Sequence, residues 1–137
     1  MKNLVFIVED NPVQQKMLRV HFEEVLNDYA VKTFSNPDDL LLGMKEKPFA
    51  VVLDHFFENM PNTGLHYLKQ LRKDYSSTPV IYYTTLSDHA IKKEVMALGA
   101  DDYIIKDSAS LVRLRTALDL IHEKKSKQSF WKKLFVK

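Results

Sequence analysis

The sequence predicts a three-layer α/β domain, five β-strands each followed by an α-helix, with the strands packed as one parallel sheet. Three observations carry that prediction. Short apolar runs rich in β-branched residues recur along the chain, as strands buried on both faces require. Each run stops abruptly on polar or charged side chains, and the segments between runs hold apolar residues at helical spacing behind recognisable caps. The plainest run is Ala50-Val51-Val52-Leu53, which ends on Asp54. A carboxylate closing a buried strand is tolerated only where the strand reaches solvent or a counter-charge, so Asp54 is placed at the C-terminal mouth of a central strand.

The first strand is Leu4-Val5-Phe6-Ile7-Val8, ending on Glu9 and Asp10. Asn11-Pro12 then starts a helix, Asn as cap and Pro at the first helical position. Its apolar stripe is read as Val13, Met17 and Val20, widened by Leu18, Phe22 and Leu26, with an end near Asn27-Asp28. Tyr29 to Phe34 is the second strand, and Lys32 marks it as nearer an edge. Ser35-Asn36-Pro37 caps a short helix that turns Leu40, Leu41 and Met44 inward, Asp38 and Asp39 suiting its positive end. Past Asp54, residues 55–63 form a loop, and Gly64 opens a helix with Leu65, Leu68 and Leu71 on its buried side. Val80-Ile81-Tyr82-Tyr83 is the fourth strand, ending on Thr84 and Thr85. Ser87-Asp88 caps the fourth helix, and Gly99 sits where a left-handed C-cap belongs. Tyr103-Ile104-Ile105 ends on Lys106, and Ser108 or Ser110 caps a last helix in which Leu111, Leu114, Leu118 and Ile121 keep a helical period.

Bulk properties agree with one domain. The chain has 137 residues, 45% hydrophobic and 28% charged, with no cysteine. Disulfides, thiol chemistry and cysteine-ligated metal are excluded, and a reducing compartment is favoured. No apolar run approaches the roughly 18 residues of a spanning helix, and no signal peptide precedes the first strand, so a cytoplasmic location is expected. The net charge of +2 is uneven: residues 122–137 hold six lysines against one acid, which leaves residues 1–121 at −3. A mildly acidic body with a basic tail is not a uniformly basic nucleic-acid binder.

The strand ends gather three carboxylates, two hydroxyls and an ammonium, where open α/β sheets bind ligands. Crowded carboxylates repel one another unless a cation compensates. Mg²⁺ suits an all-oxygen set and is commonly completed by phosphate oxygens. Glu9 and Asp10 would hold the ion and Asp54 would share it while attacking a phosphoryl group as a carboxylate nucleophile. Lys106 would pair with a carboxylate and then with phosphoryl oxygens, and the hydroxyl of Thr84 or Thr85 would donate to them. Singly, each residue has a plainer reading as a cap, a turn residue, a β former or a surface lysine; the set of four strand ends changes the odds.

Phe6-Ile7-Val8-Glu9-Asp10-Asn11, Val51-Val52-Leu53-Asp54, Pro79 to Thr85 and Gly99-Ala100-Asp101-Asp102-Tyr103-Ile104-Ile105-Lys106 together resemble the receiver domain of two-component response regulators, of the single-domain CheY type, over roughly residues 3–122. The resemblance implies a flavodoxin-like (βα)5 fold with strand order 2-1-3-4-5. It implies phosphoryl transfer from a histidine kinase or phosphotransfer protein to Asp54, with Mg²⁺ on Glu9, Asp10, Asp54 and the backbone carbonyl of Phe56. Thr84 would sense the phosphoryl group, Lys106 would pair with it, and Tyr103 would swing inward on activation.

Two departures stand out. The family's proline after the lysine is here Asp107; a trans bond is expected, since a non-proline cis bond costs about 2.5–4 kcal/mol. Asp107 also adds negative charge close to the pocket and to the Lys106 contact. The loop after Asp54 is longer and more aromatic than the family's, with Pro61 and Gly64 displaced. Phe56 and Phe57 either cover the core edge or offer a partner surface, and His55 is read as a partly exposed loop histidine, imidazole being a poor match for Mg²⁺.

Residues 1–122 are read as the receiver and 123–137 as a basic, aromatic tail. On a helix, Phe130, Trp131, Leu134 and Phe135 share a face flanked by Lys132, Lys133 and Lys137, suited to a membrane surface or a partner groove. The alternatives are a helix extension folding its aromatics back, or a disordered tail. The favoured function is a stand-alone phosphoacceptor switch with slow self-dephosphorylation, acting on a separate downstream protein and able to pair through its fourth-to-fifth-helix face. A phosphorylation-independent adaptor is the alternative. A phosphatase or phosphotransferase would lack an anchored general acid.

Overall fold

The computed structural model describes residues 2–135; Met1, and Val136 and Lys137 of the expected tail, lie outside the described residues. The elements follow in order as β1 (Asn3–Val8), α1 (Pro12–Glu24), β2 (Tyr29–Phe34), α2 (Pro37–Gly43) with a 3-10 turn at Met44–Glu46, β3 (Ala50–Leu53), α3 (Gly64–Asp74), β4 (Val80–Thr84), α4 (His89–Ala97), β5 (Asp102–Ile105) and α5 (Ser110–Phe135). The five strands are parallel in the order β2-β1-β3-β4-β5, the flavodoxin-like (βα)5 arrangement, with β2 and its exposed Lys32 at an edge.

Alternation along the strands divides the core in two. Val5, Ile7, Val52, Ile81 and Ile104 face α1 and α5, where Phe22 and Leu114 meet them. Phe6, Val51, Leu53 and Tyr82 face the other layer, where Leu40 of α2, Leu68 and Leu71 of α3 and Val95 of α4 complete the packing. β3 is buried at all four positions, as a central strand covered on both faces must be.

The caps explain several boundaries. Asn11 accepts hydrogen bonds from the N–H groups of Val13 and Gln14, Asn36 from Asp39 and Asp88 from Ile91. Gly99 has φ +99° just past α4, the left-handed position that favours glycine. Gly64 is fixed by close approach instead, since a Cβ there would fall on the Asp54 carbonyl oxygen and within 2.5 Å of the Tyr82 hydroxyl.

Two helices differ from the sequence reading. α1 ends at Glu24, and its buried side is Leu18 and Phe22, with Leu26 just beyond; Val13, Met17 and Val20 are exposed at 67%, 55% and 41%. Both triplets have helical spacing, and the larger side chains hold the sheet. At the start of α5 neither Ser108 nor Ser110 caps. Asp107 does so, accepting from Ala109 N–H at 2.9 Å, while the Ser110 hydroxyl pairs with the Tyr83 hydroxyl at 2.9 Å.

α5 runs unbroken for 26 residues, about 39 Å at the usual rise. Lys125 ties it to the body, its Nζ donating to the Phe49 carbonyl at 2.8 Å and lying 4.3 Å from the Phe49 ring centre. Further on, Phe130, Trp131, Leu134 and Phe135 are all more than half exposed, and the Trp131 and Phe135 rings stack 5.1 Å apart. The segment is thus a helix that projects without folding its aromatics onto the core.

Candidate functional site at the strand ends

The parallel sheet brings the C-terminal ends of β1, β3, β4 and β5 to one edge, and the charged residues there meet. Lys106 Nζ lies 2.8 Å from Asp54 Oδ2 and 3.7 Å from Glu9 Oε1, all three side chains partly buried. Lys106 N–H donates to the Thr84 carbonyl at 2.8 Å, which fixes the base of the lysine against β4. The other Asp54 oxygen, Oδ1, accepts from His55 N–H at 2.6 Å. Burial acts against the Lys106 charge, but the Asp54 and Glu9 carboxylates more than offset it and hold the ammonium above its ordinary range. Burial raises the Glu9 carboxyl, against the lowering effect of Asn11 N–H and Lys106, and the neighbouring Asp10 adds to the rise. Asp10 is exposed and takes the Glu58 N–H at 3.4 Å.

The two candidate switch residues converge on one backbone unit. Thr84 is fully buried and its hydroxyl oxygen accepts from Leu86 N–H at 3.3 Å; Tyr103, 7% exposed, donates its hydroxyl to the Leu86 carbonyl at 2.5 Å. Tyr103 is therefore turned inward here, stacked on Tyr82 with ring centres 5.6 Å apart. Thr85 is exposed and outside this contact.

His55 departs from expectation. It is 6% exposed, and its Nδ1 lies 2.7 Å from the Tyr82 hydroxyl. Burial holds its imidazole below the ordinary histidine range. The period of two could have found this: Leu53 pairs with Tyr82 in register, and a strand continued to His55 turns that side chain to the same core face. The aromatic pair beyond it divides, Phe57 packing edge-on to Tyr67 at 5.7 Å while Phe56 is 59% exposed.

The lysine turn is trans, as expected, there being no cis peptide among the described residues. Asp107 does not draw Lys106 away from Asp54. Asp107 is bound to Arg113 at 2.6 Å, which holds its carboxyl below the usual range, and Arg113 also donates to the Ile105 carbonyl at 3.0 Å. Its charge is met on the α5 side while Lys106 keeps its short contact with Asp54.

Among the described residues no three acidic or imidazole groups already converge as a cation cage. The donor types nonetheless fit a hard cation: Glu9, Asp10 and Asp54 offer only oxygen, and the Glu9 carboxyl, raised chiefly by burial and further by Asp10, carries a charge that a cation would stabilise.

The strand tips of this doubly wound sheet thus join an acidic pair, a third carboxylate and the lysine bound to it in one strand-end site. The chain belongs to the response regulator receiver domain family, whose model matches residues 5–119. It is 28% identical over 120 residues to the "Probable C4-dicarboxylate response regulator DctR" of Halalkalibacterium halodurans, covering 87% of this chain and 51% of that protein. Of solved structures, the BeF3-activated N-terminal receiver domain of Klebsiella pneumoniae RstA is 26% identical, with a TM-score of 0.71 over 85% of this chain and 98% of that one. A signal receiver domain from Vibrio parahaemolyticus, 18% identical, shares the fold with a TM-score of 0.82 over 96% of this chain and 98% of the other. The chain spans about half the length, or less, of the curated relatives it matches. Members of the family are phosphoacceptor switches of two-component signalling: they take a phosphoryl group on an aspartate, lose it slowly by themselves, generally use Mg²⁺ and act through protein contacts. No helix among the described residues is long and apolar enough to cross a membrane.

Proposed function

We propose that Asp54 is the phosphoacceptor of this receiver, taking its phosphoryl group from the phosphohistidine of a kinase or phosphotransfer protein. The observation that carries this reading is the 2.8 Å pairing of Lys106 with a carboxylate whose second oxygen is also held, by His55 N–H. In the transfer an Asp54 oxygen forms the new bond to phosphorus as the P–N bond breaks, its electron pair staying on the donor imidazole. Lys106 then passes from the carboxylate to the phosphoryl oxygens without leaving the site. Glu9, Asp10, Asp54 and the Phe56 carbonyl would hold Mg²⁺, which when bound neutralises phosphoryl charge. Thr84 gives up Leu86 N–H to donate to the new oxygens, and Tyr103 follows through its own bond to the Leu86 carbonyl.

The test is intact-protein mass after incubation with Mg²⁺ and a small phosphoryl donor. A phosphoryl adduct is expected on the natural protein and absent from Asp54→Ala and from Mg²⁺-free samples. No adduct from folded protein, with several histidine kinases also tried as donors, would leave a phosphorylation-independent adaptor as the function.

The wider reading has residues 1–122 as the switch in a cytoplasmic pathway and residues 123–137 as a tail offered to a partner groove or a membrane surface. Its supports are the family match ending at residue 119, the lack of cysteine, and the exposed aromatic face beyond Lys125. Phosphorylation-dependent pairing of two copies through α4, β5 and α5 belongs to the same reading.

A further inference from the structure

We infer that His55 is a positioning residue that ties the Asp54 carboxylate to the ring of Tyr103 through Tyr82, as a second route beside Thr84. The inference rests on Asp54 being the phosphoacceptor. Both ends of His55 are engaged: its N–H donates to Asp54 Oδ1 at 2.6 Å, and its Nδ1 meets the Tyr82 hydroxyl at 2.7 Å. Tyr82 is fully buried and stacks on Tyr103 with rings 18° from parallel, and Tyr103 in turn holds the Leu86 carbonyl at 2.5 Å. The link therefore runs from the reacting carboxylate to the residue, Leu86, whose N–H Thr84 holds.

The surroundings leave His55 little freedom to move alone. Its carbonyl accepts Gly64 N–H at 2.8 Å, the Phe56 ring stands edge-on 4.8 Å away, and Gly64 sits so close to the Tyr82 hydroxyl that no Cβ fits between them. Close-packed rings pass a displacement on instead of absorbing it. The displacement has a cause in the proposed reaction. Converting the Asp54 carboxylate to an acyl phosphate moves its charge onto the phosphoryl oxygens, so the charge-assisted bond from His55 N–H weakens and that N–H turns toward the new acceptors. The imidazole must then shift against Tyr82, and Tyr82 against Tyr103.

The test uses the full chain labelled with 3-fluorotyrosine, the Tyr103 resonance being assigned by its loss in Tyr103→Phe. Fluorine NMR before and after phosphorylation by a small donor with Mg²⁺ reads the Tyr103 response, and intact mass of the same samples reads the adduct. Tyr82→Phe removes only the hydroxyl, His55→Phe replaces the polar imidazole by a slightly larger apolar ring, and His55→Asn keeps a polar atom near the Nδ1 position. With the Tyr103 response read per phosphorylated molecule, we expect it reduced to less than about half in His55→Phe and Tyr82→Phe and no further in the double variant, as members of one chain should behave, and restored in His55→Asn. An unchanged response in phosphorylated Tyr82→Phe would overturn the inference and leave Thr84 as the whole route. Absence of adduct on the natural protein would overturn the phosphoacceptor reading itself, an outcome the mass measurement separates from loss of coupling.

Discussion

At the strand ends one ammonium serves two carboxylates, and Lys106 sits nearer Asp54, at 2.8 Å, than Glu9, at 3.7 Å. Removing it as Lys106→Met takes away the donor that is already in place for the phosphoryl oxygens, so adduct formation on Asp54 should slow by about 10²-fold, the usual effect of losing one preorganised charge-stabilising donor. Time-resolved intact mass at fixed donor and Mg²⁺ measures this, and an unchanged rate would show that Lys106 acts only after transfer. Glu9, Asp10, Asp54, Thr84 and Lys106 were legible in the sequence because each closes an apolar run, and parallel strands bring such ends to one edge. What His55 touches was not legible. It follows a strand-ending carboxylate and opens a long loop, so it is the register of β3 against β4 that shows it turning inward to Tyr82.

Among the elements, the junction of β3 with α3 leaves no room for a side chain at Gly64. Gly64 starts α3 directly against the Asp54 carbonyl and the Tyr82 hydroxyl, with its N–H on the His55 carbonyl. Gly64→Ala should therefore destabilise the fold by about 3 kcal/mol, at the upper end of overpacking, although alanine favours helices and Gly64 has no left-handed backbone. Urea unfolding would measure it, and a neutral result would mean that α3 can slide without cost. This contact left no mark in the sequence beyond a glycine at a helix start, because close approach comes from a strand and a loop elsewhere. α1 shows the opposite limit. Its two apolar triplets are equally periodic, and only the finished sheet selects Leu18 and Phe22 while exposing Val13 and Met17. At α5 the substituted Asp107 does the capping expected of the serines, and its bond to Arg113 leaves Lys106 undisturbed.

For the whole molecule, burial raises the hydroxyl pKa of Tyr29, Tyr67, Tyr82 and Tyr103, with Asp119 adding to the effect at Tyr29 and the Asp54 charge at Tyr82. Each has a folded value above its unfolded one, so the stability tied to these protonated hydroxyls is complete below the unfolded value near 10 and is lost as pH climbs above it. Absorbance titration should show these four ionising late and together with loss of near-ultraviolet circular dichroism, and Tyr29→Phe should make the loss of stability above pH 10 shallower. An ordinary titration near 10 with the fold intact would contradict this. Layer count was readable because buried parallel strands and capped helices leave strong local marks, and strand order came with the family resemblance, whereas the path of the tail was not readable. A basic aromatic segment has the same composition whether it folds back, frays or stands out on a helix.

That projecting helix has an optical consequence. Trp131 is the chain's single tryptophan, half exposed and stacked on Phe135, outside both halves of the core. Emission excited at the red edge of the absorption band will report the far turns of α5 and be nearly blind to the sheet. Melting followed by that signal should trace the fraying of one helix, at a lower temperature than the cooperative transition seen through the buried tyrosines. The same blindness makes Trp131 a clean reporter: whatever settles on the aromatic face will shift its colour while the rest of the protein stays dark.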